Sequence, residues 1–211
     1  MAYDLEEQEQ LESIKAWWNQ YGNLIVMAAL AAAIAVAAYQ GWRYYRSSQA
    51  VGAATLYGQL DQAARANDAK RVRDISAQIV DRYGSTVYGG LAALASAKAA
   101  FTTGDLEAAE KQLRWAMEHA KEPEQRDIAR LRLAGVLLDE KKADEALKVM
   151  DHKPVDAYVA LYADMRGDIL SAQGKGADAA AAYRTALEKS EPSSAYRQLV
   201  EIKLDALGES K

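Results

Sequence analysis

Cysteine is absent from the 211-residue sequence, which excludes disulfides, thiolate chemistry and cysteine-based metal sites. Only two histidines occur, His119 and His152, and they are not in a metal-ligand spacing. No Gly-rich phosphate loop, G-x-S-x-G elbow or H-E-x-x-H pair is present. No catalytic, cofactor-binding or metal-binding residue is therefore expected, and the expected class is non-enzymatic. Proline is scarce (Pro123, Pro154 and Pro192) and there is a single phenylalanine, Phe101, while alanine is abundant. Few helix breakers and many strong helix formers point to an all-α protein. Net basic charge is also missing. Residues 1–21 carry Asp4, Glu6, Glu7, Glu9 and Glu12 against Lys15 alone, so the whole formal charge of −4 lies there and the remainder is neutral. A neutral domain lacks the electrostatic footprint of a nucleic-acid binder.

Against these absences stands one long apolar run. No charged residue occurs over 16–42, and 22–42 has the length a transmembrane helix needs. Trp17, Trp18 and Tyr21 flank one side, and Tyr39, Trp42, Tyr44 and Tyr45 the other, as two interfacial aromatic belts. Lys15 and Arg43 close the span as snorkelling charges. Ala35, Val36 and Ala37 also match the small-residue pattern of a signal-peptide cleavage site, but the preceding tail is acidic where such a peptide is basic. Ala28, Ala32 and Ala35 form a small-residue stripe suited to packing on another membrane helix. The flanking cations, Lys15 before and Arg43 and Arg46 after, taken alone favour a cytoplasmic C-terminal domain by one residue. Asp4 and Glu7 have the spacing of a capping box opening a helix that runs into the span.

The organisation expected is an acidic tail over 1–21, the span over 22–42, a juxtamembrane linker over 43–50 and a helical repeat domain over 51–208. Helices are expected near 50–66, 69–83, 87–103, 106–121, 124–140, 143–151, 155–173, 176–190 and 193–207, with Gly84, Gly104, Gly174 and Pro192 at the breaks. Three helix pairs align. Ala97, Gly104, Ala109 and Leu113 correspond to Ala134, Lys141, Ala146 and Met150, and to Gly167, Gly174, Ala179 and Tyr183. The offsets are 37 and 33 residues, close to the period of about 34 of tetratricopeptide repeats. Small residues let the helices of a pair touch, and larger ones fill the space to the next pair. Residues 50–83 are expected to add a divergent pair and 193–207 a closing helix. The fold class read from this is all-α: a single N-terminal transmembrane helix followed by a tetratricopeptide-like α-solenoid.

In such solenoids the first helix of each pair lines a partner groove. Carrying those positions over gives Leu94, Lys98 and Phe101, then Leu131 and Leu138, then Asp164 and Asp168.

The order of features, with Gly41-Trp42-Arg43-Tyr44-Tyr45 at the span exit and the stretch Tyr83-Gly-Ser-Thr-Val-Tyr88-Gly-Gly-Leu-Ala-Ala-Leu94, resembles the YfgM family of ancillary Sec translocon subunits. The resemblance covers nearly the full length. It implies a bacterial inner-membrane protein with a cytoplasmic N-terminus and a periplasmic repeat domain, the reverse of what the flanking cations favour. It also implies as partners the Sec translocon channel, a PpiD-type periplasmic chaperone and translocating polypeptides. The rival is a membrane-tethered scaffold for a signalling, cell-division or envelope-assembly complex.

Overall fold

A computed structural model of the chain describes residues 2–208, with side chains from residue 9 onward; the Asp4–Glu7 capping pair lies outside the described side chains. The helices are α1 (Ala2–Arg65), α2 (Ala69–Tyr83), α3 (Val87–Thr102), α4 (Leu106–His119), α5 (Pro123–Asp139), α6 (Ala143–Val149), α7 (Val159–Ala172), α8 (Gly176–Lys189) and α9 (Ala195–Ala206), with a 3₁₀ turn at Asp156–Tyr158 before α7. No strand occurs among the described residues. The chain divides into two compact units, Met1–Ser48 and Gln49–Lys211.

Residues 43–50, expected as a linker, are helical within α1, and the helix expected over 50–66 is the C-terminal part of α1. The stretch 42–51 contains neither Gly nor Pro, so nothing in it terminates the hydrogen-bonded ladder. The helix expected from residue 155 starts instead at Val159. Val155 is extended, with ψ of 152°, and its amide donates to the Asp127 carboxylate at 2.9 Å, so the chain makes a 3₁₀ turn first.

In the second unit the helices stack in pairs, and the repeat is visible in the backbone of the turns. Gly104, Lys141 and Gly174 have φ of 78°, 60° and 73°. Asn67, 37 residues before Gly104, has φ of 55°. Four successive turns thus use one left-handed residue at the equivalent position, a conformation native to Gly and tolerated by Asn. This puts the C-terminal part of α1 and α2 in register as a first pair. At the following position Asp68 and Asp105 each cap the next helix, accepting from the Arg71 and Ala108 amides at 3.0 and 3.1 Å; such a cap contributes about 1 kcal/mol.

The same register fixes the core. Val72, Ala109, Ala146 and Ala179 are equivalent and buried, as are Ser76, Leu113, Met150 and Tyr183. Ala109, Ala146 and Ala179 let second helices approach first helices, and Leu113, Met150 and Tyr183 fill the space between pairs; in the first pair the sizes are exchanged, with Val72 and Ser76 at these positions. At Gly167 there is no room even for a methyl group, because the Tyr183 ring occupies it. One cluster built on α3–α7 forms the main core, with satellites over α1–α3 and α7–α9.

The unit formed by α5 and α6 is the irregular one. Its second helix is short, and the segment after it is held by Asp127 of α5, which is 2% exposed. The carboxylate accepts from the Val155 amide and from the Tyr162 hydroxyl, both at 2.9 Å, with Arg130 Nη1 3.6 Å away. Burial, and then the bond to Asp127, push the Tyr162 phenol pKa up.

Candidate functional site

In the first unit every residue over 24–38 is exposed, including Leu24 at 68% and Ile34 at 69%. Among the described residues α1 is the one helix long and apolar enough to cross a membrane. Fifteen consecutive exposed apolar residues match a lipid environment, where apolar side chains need no protein partner and the helix satisfies its own backbone. The aromatic belts are organised at i,i+4 spacing. Trp17 and Tyr21 have ring centroids 5.9 Å apart, and the Trp18 ring lies over Gly22. At the other end the Arg46 guanidinium sits 4.5 Å from the Trp42 ring and that of Arg43 6.0 Å from the Tyr39 ring. Each cation is thus held against an aromatic face. Ala28, Ala32 and Ala35 are all exposed on this helix.

In the second unit a cavity of about 490 Å³ opens on the face shared by the first helices of the pairs. Lys98 and Phe101 of α3, Arg132 and Leu138 of α5, and Met165 and Asp168 of α7 line it. A smaller cavity of about 180 Å³ adjoins it, floored by small residues including Ala64, Ala95 and Ala99, and also bordered by Lys98.

The repeat register explains which residues reach this face. Lys98, Gly135 and Asp168 are equivalent and all line the larger cavity, as do the equivalent pairs Arg132 and Met165, and Phe101 and Leu138. Of the residues expected from sequence, Lys98, Phe101, Leu138 and Asp168 are brought together there. Leu94, Leu131 and Asp164 form the neighbouring equivalent set and turn inward. Leu94 is 6% exposed within the main core, Leu131 packs against that core, and Asp164 is 8% exposed. A step of one residue rotates a helix position by about 100°, enough to move it from groove to core. Arg132, Asp139 and Met165, each one residue beyond an expected position, were missed for the same reason; Gly135 was missed although extending the spacing of Lys98 by the repeat offset finds it directly.

Asp164 puts a carboxylate where the earlier units have Leu94 and Leu131, and α9 answers it. Lys203 Nζ donates to Asp164 Oδ1 and to Asp168 Oδ2, both at 2.8 Å. The Tyr183 hydroxyl donates to Asp168 Oδ1 at 2.8 Å. Burial raises the pKa of Asp164 against the opposing pull of Lys203. Burial alone would lower that of Lys203, but hydrogen bonds to two carboxylates more than offset it and the net shift is upward. The two directions are compatible because the ammonium gains two anions and Asp164 one shared cation. Among the described residues no group of three or more His, Cys, Asp or Glu side chains could hold a metal ion.

Comparison with known proteins accounts for this architecture. A family model described as a tetratricopeptide repeat-like domain matches residues 15–209. An ancillary SecYEG translocon subunit of Neisseria gonorrhoeae is 30% identical over 209 residues, covering 98% of this chain and 100% of that protein. Proteins of the same name from Haemophilus influenzae and Escherichia coli K12 are each 28% identical. They cover 98% and 95% of this chain, and 100% and 96% of their own lengths. With the family model spanning most of the sequence and its relatives matched from end to end, the chain belongs to the YfgM family, that of the ancillary SecYEG translocon subunits.

Proposed function

We propose that this protein is a non-enzymatic accessory subunit of the bacterial Sec translocon. The observation that carries this reading is the end-to-end match to ancillary SecYEG translocon subunits, which takes in anchor and repeat domain together rather than the repeat fold alone. Residues 22–42 hold the protein in the inner membrane, with the tail 1–21 cytoplasmic and the domain 51–208 periplasmic, joined through 43–50. The stripe of Ala28, Ala32 and Ala35 packs against a translocon helix, since small residues permit close approach in lipid. The groove takes a PpiD-type membrane-anchored chaperone or an emerging polypeptide and so links the channel to periplasmic chaperones. Stacked helical pairs with an open face suit such binding because they present an extended surface without moving parts.

Affinity purification of the tagged protein from native membranes tests the reading: SecYEG and a periplasmic chaperone are expected in the eluate, and their absence overturns it. One observation favours a second reading. The cations flanking the span, one before and two after, favour a cytoplasmic domain, which would make the protein a tethered scaffold on that side. A reporter fused at the C-terminus separates the two: a periplasm-active signal is expected, and a cytoplasm-active one would select the scaffold.

A further inference from the structure

The groove carries four charged side chains around the larger cavity: Lys98, Arg132, Asp139 and Asp168. They are not equivalent. Asp168 is already engaged, bonded by Lys203 and by the Tyr183 hydroxyl. Lys98, Arg132 and Asp139 have no ion-pair or hydrogen-bond partner among the described side chains, and Lys98 and Arg132 are exposed. The α7 side of the cavity thus sets Asp164 and Asp168 against the shared Lys203, whereas the α3–α5 side presents two unpaired cations, Lys98 and Arg132, against one carboxylate, Asp139. Phe101, 46% exposed and the only phenylalanine of the chain, lines the same cavity. Among the described residues of the second unit Phe101 is the one exposed aromatic, and an accessible aromatic in one cavity with Arg and Met is the composition of an interface centre. Leu138 and Met165 extend the apolar surface around it, and Met adapts its shape to varied partners.

We propose that the α3–α5 part of the groove binds a peptide segment in which an acidic residue stands beside a bulky apolar one. The carboxylate bonds Lys98 and Arg132, and the apolar side chain packs on Phe101, Leu138 and Met165. The occupant follows from charge complementarity. A charge-assisted bond needs an anion where the protein leaves cations without partners, and steering by like potential disfavours a basic segment. The inference rests on the groove reading proposed above and specifies the chemistry of its ligand.

The test uses the full chain in nanodiscs and four fluorescein-labelled twelve-residue peptides, identical except for a central pair: Glu-Phe, Gln-Phe, Lys-Phe and Glu-Ala. Fluorescence anisotropy is expected to show Glu-Phe binding at least tenfold tighter than the other three, with affinity falling as salt rises. The double variant Lys98→Glu with Arg132→Glu is expected to reverse the order of Glu-Phe and Lys-Phe. Phe101→Ala is expected to weaken both without reversing it. All three positions are exposed, and unchanged melting of the variants checks that they fold. Equal binding of all three Phe peptides, lost in Phe101→Ala, overturns the acidic preference while leaving the groove reading intact. Binding unaffected by any of the variants overturns the groove reading as well. A change of oligomeric state in the variants, measured by light scattering, identifies the occupant as a second copy of this chain and overturns the proposal.

Discussion

Residues 24–38 and 91–100 are built from nearly the same material, alanine interspersed with aliphatic side chains, and they meet opposite surroundings. In the first stretch every residue is exposed; in α3, Ala92, Ala93, Ala97 and Ala100 are at most 2% exposed. Alanine serves α3 by being small. It buries little apolar area of its own, so its contribution comes through letting α2, α4 and α5 approach closely enough for their larger side chains to interlock. In the span alanine has only to avoid charge and keep the helix apolar. Composition alone therefore does not distinguish a core helix from a membrane helix. The difference lies in interruptions: Ser96 and Lys98 break the apolar run of α3, and nothing charged breaks 16–42.

The contrast breaks most sharply under an arginine. Ala93→Arg puts a long charged side chain where there is 0% exposure, and the desolvation and overpacking cost roughly 5 kcal/mol or more. Domains are stable by about 5–15 kcal/mol, so loss of cooperative melting in the repeat domain is the expected result by near-UV circular dichroism. Leu30→Arg, near the centre of the span, is expected to cost roughly 3–4 kcal/mol of insertion free energy. It should shift protein from the alkali-resistant membrane fraction to the soluble one without altering the melting of the domain. If Leu30→Arg stays fully membrane-bound, the span is not what holds the protein there.

A smaller perturbation sharpens the same comparison. Ala97→Leu adds three carbons to a 2%-exposed position in contact with α4 and α5, and overpacking of this kind costs about 1–3 kcal/mol. A lowered melting temperature is expected. Ala32→Leu adds the same atoms to an exposed helix face and should leave melting unchanged. Its expected effect is reduced recovery of membrane partners, and full recovery would argue against the alanine stripe as a docking face.

The two regions also differ in what pH can reach. No charged group lies within 16–42, whereas α9 is held to α7 through Lys203. The pKa of Lys203 is raised above its ordinary 10.5 in the fold. Its contribution to stability is therefore complete below that value and is lost as pH rises through the higher folded value. Comparing melting of the native chain and of Lys203→Met between pH 9 and pH 12 isolates it. The gap between the two should narrow toward pH 12, and a constant gap would mean that Lys203 acts by packing alone.

Much of this was legible in the sequence because helices report on themselves locally. Charge-free length gave the span, and glycines with alanine spacing gave the pairs from α3 to α8. What stayed hidden depended on rotation and on distant partners. Leu94, Leu131 and Asp164 sit one residue before positions that line the groove, and spacing along one helix does not reveal the direction of its neighbours. The pairing of Asp164 with Lys203 joins residues on α7 and α9, and no local pattern predicts it. The register of the first pair was hidden because its turn uses Asn67 in place of glycine.

That turn position supports the smallest expected effect and the one with the most direct bearing on the repeat. Lys141 holds φ of 60° where its equivalents Gly104 and Gly174 hold 78° and 73°. A left-handed conformation costs a side chain with a Cβ about 1–2 kcal/mol, and glycine returns part of that through its larger entropy in the unfolded chain. Lys141→Gly is therefore expected to stabilise the domain by about 0.5–1 kcal/mol. The gain is available because the α5–α6 turn holds the left-handed geometry without a glycine. Gly104→Ala imposes the opposite change at the equivalent turn and should destabilise by about 1 kcal/mol. Both are read from thermal melting of the full chain in detergent. Opposite signs follow if the turns are energetically as well as geometrically equivalent. Should Lys141→Gly lower the melting temperature, the lysine side chain contributes something at its turn that glycine cannot replace, and the α5–α6 unit is a departure from the repeat rather than a worn copy of it.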